Sequence, residues 1–378
     1  MQKKIIPICI ALAALLIYQG CKKEYLPPGS DRDLNYLVVD GFINATPGAE
    51  TVIKLSRTRK INDSDQAQVP EYFASVSIES DAGDMYNLFA DTIAGTYKTP
   101  ATSLQVNKNY RLNITTADGK NYVSDFVPVK QPPPIDTITW KQDNDVSIFV
   151  STTDPANSTR YYLWNYTETW EYHSRYDSRL AYDSGKVIPL DDDEHRTICY
   201  RNAESFGILT GSSAALSDDR ISDQLLAVIP NGVDKMSVRY SILVRQMGLT
   251  EEAHIYWELV KNNSEQVGGL FDPLPSQISG NIRCTSNPDD IVIGYASAST
   301  VQEKRIFINN SELTGWYVKE PGVDCTIQFI APETADVYCA NNVYSPIYFI
   351  TGPLLAIAKT ECVDCRTKGG SLTKPSFW

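Results

Sequence analysis

Eight cysteines and three histidines are the side chains most able to react in this chain, and their spacing limits the chemistry available. Cys9 and Cys21 lie near the start, whereas Cys199, Cys284, Cys325, Cys339, Cys362 and Cys365 all fall in the second half. Cys362-x-x-Cys365 has thioredoxin-like spacing, but a redox motif of that kind follows a strand and opens a helix within a βαβ pattern, and here it leads into Gly369-Gly370. Zinc would require paired C-x-x-C spacing, which the stretch from Cys325 to Cys339 lacks. Structural bridges are the expectation for all six, in any of fifteen pairings. His173, His195 and His254 are scattered, and neither G-x-S-x-G nor H-E-x-x-H occurs, so no catalytic residue, cofactor or metal is expected. Asp191-Asp192-Asp193-Glu194 offers oxygen ligands for calcium, yet a like-charge run is usually a solvated loop and the D-x-D-x-D-G pattern is missing. Paired carboxylates for glycoside hydrolysis are set in space, not in sequence, which leaves a hydrolase as an alternative.

The elements that would carry these groups begin after a targeting segment. Lys3 and Lys4 precede thirteen mainly apolar residues, Ile5 to Ile17, a run shorter than the roughly 18 residues that span a bilayer. Residues 1–20 therefore read as a signal peptide, and Gly20-Cys21 resembles the end of a bacterial lipoprotein signal, although Tyr18 and Gln19 depart from the strict lipobox. Acylation of Cys21 would anchor the chain to the outer membrane, and residues 21–34 would form a polar tether. Removing Lys3 and Lys4 takes the formal charge from −12 to −14. Such acidity, with no basic cluster, argues against nucleic acid as a partner. An even set of cysteines in an exported chain supports disulfides.

Residues 35–130 alternate as short strands between turns, with Asp81-Ala82-Gly83 and Asp118-Gly119 as hairpin signals, which predicts an immunoglobulin-like β-sandwich. Gln131-Pro132-Pro133-Pro134 predicts a linker at 131–134. Residues 135–378 predict a larger, disulfide-stapled, β-rich domain with one helix, capped by Thr250, opened by Glu251 and Glu252, and carrying Ala253, Tyr256, Trp257 and Val260 at helical spacing. The fold class is therefore all-β. Leu270 to Ser279 is too rich in proline for regular structure. Tyr162, Trp164, Tyr166, Trp170 and Tyr172 recur with period two and share one face of a strand. That face either covers a sandwich core, as inward aromatics ordinarily do, or forms a binding surface for sugars or a partner. Asp91-Thr92-Ile93 and Asp136-Thr137-Ile138 resemble an O-glycosylation sequon of exported Bacteroidetes proteins, which marks Thr92 and Thr137.

Several segments together resemble a family of Bacteroidetes outer-membrane lipoproteins labelled a domain of unknown function. They are Tyr161-Tyr162-Leu163-Trp164-Asn165-Tyr166 with Thr169-Trp170-Glu171-Tyr172, the block from Phe271-Asp272-Pro273-Leu274-Pro275 to Ile282, and Cys362-Val363-Asp364-Cys365 through Lys374-Pro375-Ser376-Phe377-Trp378. The opening Leu37-Val38-Val39-Asp40-Gly41-Phe42-Ile43 fits as well. Genes of this family typically stand beside TonB-dependent receptors. The resemblance thus implies a non-enzymatic accessory or ligand-binding role in nutrient uptake, with such a receptor as partner. An adhesin or fimbrial lipoprotein would share the signal and the sandwiches.

Overall fold

The computed structural model describes residues 35–59, 69–191, 194–265, 280–318, 322–352 and 354–378. The signal peptide, the tether with Cys21, the Leu270–Ser279 segment and Asp192-Asp193 lie outside the described residues.

Nine strands form the first lobe in chain order: β1 (Leu37–Asn44), β2 (Val52–Arg57), β3 (Val69–Pro70), β4 (Ser75–Ser80), β5 (Met85–Ala90), β6 (Thr96–Lys98), β7 (Asn109–Thr115), β8 (Asn121–Ser124) and β9 (Val127–Lys130). Alternation drives them: Val76 and Ile78 of β4, and Tyr110, Leu112 and Ile114 of β7, point inward while their neighbours face out. The Asp118-Gly119 turn joins β7 to β8 as expected, with Gly119 at φ +83.

The second lobe is a two-sheet sandwich. One sheet holds β10 (Ile135–Gln142), β11 (Val146–Thr153) and, after an interval, β17 (Arg220–Ile229). The other is built on the long β12 (Tyr161–His173), flanked by β15 (Ile198–Glu204), β16 (Leu209–Ser212), β18 (Arg239–Gly248) and β22 (Val301–Asn309). Between β12 and β15 lies the hairpin β13 (Leu180–Asp183) with β14 (Lys186–Pro189). The helix α1 (Glu251–Glu265) follows β18, and the Thr250 hydroxyl accepts the amide of Ala253 at 3.2 Å, as its capping position requires.

Two expectations are corrected here. The first lobe does not end at residue 130. After α1 the chain returns to it as β19 (Ile282–Cys284), β20 (Val292–Ile293) and β21 (Ala298–Ser299) before crossing again into β22. β19 pairs with β8, while β20 and β21 run parallel to β1, and β9 closes the sheet by pairing with both β21 and β7. Ile282, Cys284, Val292, Ala296 and Ala298 complete its core, so the lobe is discontinuous in sequence and carries parallel pairs that a simple antiparallel sandwich lacks. The linker is also not a free spacer: the Gln246 side-chain amide donates to the Pro133 carbonyl at 2.7 Å and fastens it to the second lobe.

The second correction concerns the cysteines. Bridges join Cys199 to Cys365 and Cys325 to Cys362, and Cys284 and Cys339 are buried free thiols. The two free thiols belong to different cores, Cys284 to the first lobe and Cys339 to a small unit made of β23 (Gln328–Ile330), α2 (Ala335–Cys339), β24 (Tyr344–Ile350), β25 (Leu354–Lys359) and the packed β13–β14 hairpin. An even count therefore does not translate into full pairing. The expected helix is joined by α2 and by α3 (Thr360–Val363), both short. Adjacent cysteines of the C-x-x-C pair enter different bridges, so the turn at α3 is tied at once to β15 and to the segment before β23. Burial raises the Cys339 thiol to about 11. The denatured, unreduced mature protein should titrate two thiols besides any at Cys21, and the native protein at pH 8 should leave Cys339 unlabelled; six free thiols, or none, would contradict this pairing.

Buried carboxylates brace the sandwich. Burial alone would raise the pKa of Asp154, but hydrogen bonds from Ser158, Ala156 and Thr159 outweigh it and hold the group below its usual range. Its contribution is present above the unfolded value of about 3.9 and is lost as pH falls through the lower folded value. Ser158→Ala should shallow the acid limb of a pH–stability profile measured by urea melts, and an unchanged limb would refute the assignment.

Candidate functional site

The two lobes meet along a cleft of about 660 Å³. One wall is β1 and β2, where Asp40 stands directly across from Lys54 and Phe42 across from Val52. The opposing wall is the outer face of the β12–β18 pair, with Leu163, Asn165, Arg245 and Met247. Trp257 of α1 and Tyr295 close one end. Their placement follows from packing: Tyr256 is buried and its ring lies 5.4 Å from Trp257 and 5.2 Å from Tyr295, so one aromatic cluster fixes both. At the other end the cleft continues into a depression of about 440 Å³ that shares Phe42, Val52 and Arg245 and reaches Glu50 and Glu303. Gly41 sits on the wall with φ +130, where a Cβ would strike the Val52 carbonyl, so only glycine lets β1 approach β2 this closely.

Charge along the trough leans acidic and is partly committed. Arg245 donates through Nε to Glu303 at 3.0 Å and through its terminal nitrogen to the Thr167 hydroxyl at 2.8 Å, with Glu204 3.9 Å away. Its guanidinium is thereby held in one orientation over the junction. Two polar atoms of cleft residues, Asn165 Oδ1 and Ser297 Oγ, are buried with no hydrogen-bond partner among the described residues. Buried polar atoms are ordinarily satisfied, so orphaned ones beside a groove mark places where a bound group or water completes the set. On the rim, the loop between β15 and β16 presents Phe206, 97 % exposed. Aromatic walls, a fixed guanidinium and unpaired oxygens suit recognition of a ligand or partner segment.

Of the aromatic stripe, Trp164 alone borders this cleft. Tyr162, Trp164, Trp170 and Tyr172 are buried on the inner face of β12 and Tyr166 is half-buried, so the stripe packs the core of the second lobe and is not an exposed face. Three of these rings find a polar partner inside, whereas Trp170 Nε1 has none among the described residues. Trp164 Nε1 donates to Gln246 at 2.8 Å, the Tyr162 hydroxyl to Asp219 at 3.0 Å, and the Tyr172 hydroxyl to the Cys365 carbonyl at 2.6 Å. The same face carries Glu168, buried between the Tyr240 hydroxyl and Lys235. Its period-two position within the aromatic run was the available signal for an inward acid. Thr92 is exposed in the β5–β6 loop, and Thr137 is exposed on β10 and not in a turn. Among the described residues no cluster of His, Cys, Asp or Glu has the makings of a metal site. His173 pairs with Glu171 at 2.8 Å, and His254 stacks on Tyr161 with centroids 5.0 Å apart, so the two are not brought together. Apart from Trp164, the cleft residues escaped the sequence reading because they span Asp40 to Ser299 and only the fold assembles them.

A family model described as "Domain of unknown function (DUF4249)" matches residues 22–305, most of the chain. The chain belongs to that family. The DUF4249 match takes in both walls of the cleft, whereas the β23–β25 unit and the Cys325–Cys362 bridge lie beyond it. No curated protein matches the chain. Solved structures give distant likenesses. A DUF4785 family protein from Legionella pneumophila shares 12 % identity over 56 % of this chain and 52 % of its own, with TM-score 0.20. The native conformation of E. coli alpha-2-macroglobulin shares 11 % over 57 % of this chain and 13 % of its own, with TM-score 0.19. The DUF4249 chain thus spans about half the length of the first and a small part of the second.

Proposed function

We propose that this DUF4249 chain is a non-enzymatic lipoprotein of the bacterial outer membrane, serving as an accessory or ligand-binding component of TonB-dependent nutrient uptake. The interlobe cleft is its recognition surface. The observation that carries the reading is that cleft: a groove at a lobe junction, walled by Phe42, Trp257 and Tyr295, crossed by Arg245, and holding unpaired polar atoms. Clefts at domain junctions, mostly apolar with a few convergent polar groups, are the usual sites of binding. Phe206 adds an aromatic side chain at the edge, and aromatic anchors dominate interface energetics. The signal-like first twenty residues and Gly20-Cys21 support the address, and the likeness of the sequence to receptor-associated lipoproteins supports the partner.

A mild-detergent pull-down from native membranes should recover a receptor-sized outer-membrane protein. Trp257→Ala combined with Phe206→Ala should lower that recovery at least about tenfold, as expected when interface anchors worth about 2 kcal/mol are truncated, and Phe206→Ala alone should lower it with the thermal unfolding midpoint nearly unchanged. A protein that runs alone, with long arrays of like lipoproteins in its place, would favour the fimbrial alternative. Turnover of a glycan or peptide abolished by one Asp or Glu substitution would replace binding with hydrolysis.

A further inference from the structure

We infer that the first lobe rests on the membrane surface through an aromatic turn beside the point where the tether enters. Tyr72 and Phe73 form the tip of the β3–β4 connection, 52 % and 90 % exposed, with ring centroids 6.2 Å apart. The tip is built to project. The Tyr97 hydroxyl donates to the Glu71 carbonyl and accepts the Ala74 amide, both at 2.9 Å, which closes the turn beneath the two rings. Arg57 pairs with Glu71 at 2.5 Å and fixes its root. Phe73 holds φ +58, a left-handed conformation costly for a bulky side chain, where glycine or asparagine would serve if the turn alone mattered. The strained backbone is kept, and it delivers a benzyl group to solvent.

The occupant is indicated by where the chain enters. Arg57 also donates to the Asn35 carbonyl at 3.3 Å, so the first described residue lies at the root of the same turn. Fourteen residues, Cys21 to Leu34, separate it from the acylation position, a reach of at most about 50 Å. The β5–β6 loop stands at this end too: Gly95 abuts Pro70, and Ile93 is 63 % exposed. Tyrosine and phenylalanine at a tip, with a polar handle on one of them, match the chemistry of a bilayer interface. Two or more points of attachment convert a swinging tether into a fixed stance.

This inference rests on the lipoprotein reading, and the test separates the two. The acylated Phe73→Trp protein would be placed in vesicles of phosphatidylethanolamine and phosphatidylglycerol containing brominated acyl chains, with Phe206→Trp as a control on the far rim. The emission added by Phe73→Trp should be at least half quenched and that added by Phe206→Trp should not be. In the unacylated Cys21→Ser protein, Tyr72→Ser with Phe73→Ser should lower vesicle binding by about tenfold, the loss expected when a buried aromatic is removed from lipid. Absence of quenching, with mass spectrometry showing acyl chains on Cys21, overturns the docking turn and leaves the lipoprotein standing. Protection of the turn by a co-purified protein, or an O-glycan mapped to Thr92 beside Ile93, overturns it as well.

Discussion

Cys365→Ser is expected to lower the stability of the second lobe by about 4 kcal/mol, near the upper end for a native bridge. The Cys199–Cys365 bond spans 166 residues, and the entropy that a crosslink removes from the unfolded chain grows with the logarithm of the loop it closes. The substitution also loosens what the bridge positions. The Cys365 amide donates to the Arg196 carbonyl at 2.9 Å, the Tyr172 hydroxyl to the Cys365 carbonyl, and Tyr200 and Ser371 exchange backbone hydrogen bonds beside it. Cys325→Ser should cost less, because its loop is 37 residues. Urea denaturation of the two variants and the parent, read by near-ultraviolet circular dichroism, gives the order. Equal losses, or a larger one for Cys325→Ser, would show that loop length is not what sets the effect here.

Trp164→Ala should cost about 3–5 kcal/mol, the range for emptying a buried aromatic site. Trp164 is 1 % exposed and stacks on Tyr162 at 5.6 Å and 11° between planes. Its loss also strands Gln246, whose Oε1 accepts the indole N–H while its amide donates to the Pro133 carbonyl and, at 3.1 Å, to the Thr152 hydroxyl. An orphaned buried carbonyl adds about 1–3 kcal/mol. Trp164→Phe keeps most of the volume and should retain much of the stability. Gly211→Ala tests the same contact from the other side, since a Cβ there would meet the Trp164 ring at 2.7 Å. Loss of partner binding by Trp164→Ala with full stability retained would return the aromatic stripe to the surface.

Local pattern was legible and long-range pairing was not. Alternation located most strands, Asp118-Gly119 its hairpin and Thr250 the start of α1, because each of these is decided within a few residues. The parallel strands β20 and β21 are two residues each, Val292–Ile293 and Ala298–Ser299, too short to leave a period, and only their pairing with β1 makes them strands. The same remoteness hid the cleft. For the aromatic stripe, period two fixed a common face but not its side, since the deciding residues, Gln246 and Asp219, lie far along the chain. Cysteine parity failed for a related reason: Cys284 and Cys339 are each sealed in a separate core, and bonding requires proximity.

The parallel returns of β20 and β21 also give β1 mechanical support on both edges. The strand begins at Leu37 and is hydrogen-bonded to β2 on one edge and to β20 and β21 on the other. Tension drawn along the strand acts across these bonds in shear. They must yield together and cannot unzip one at a time. From β21 the chain runs directly into β22 of the second lobe, so the pull passes between lobes through backbone as well as through side-chain contacts. A protein wired this way resists extraction of β1 from its sheet.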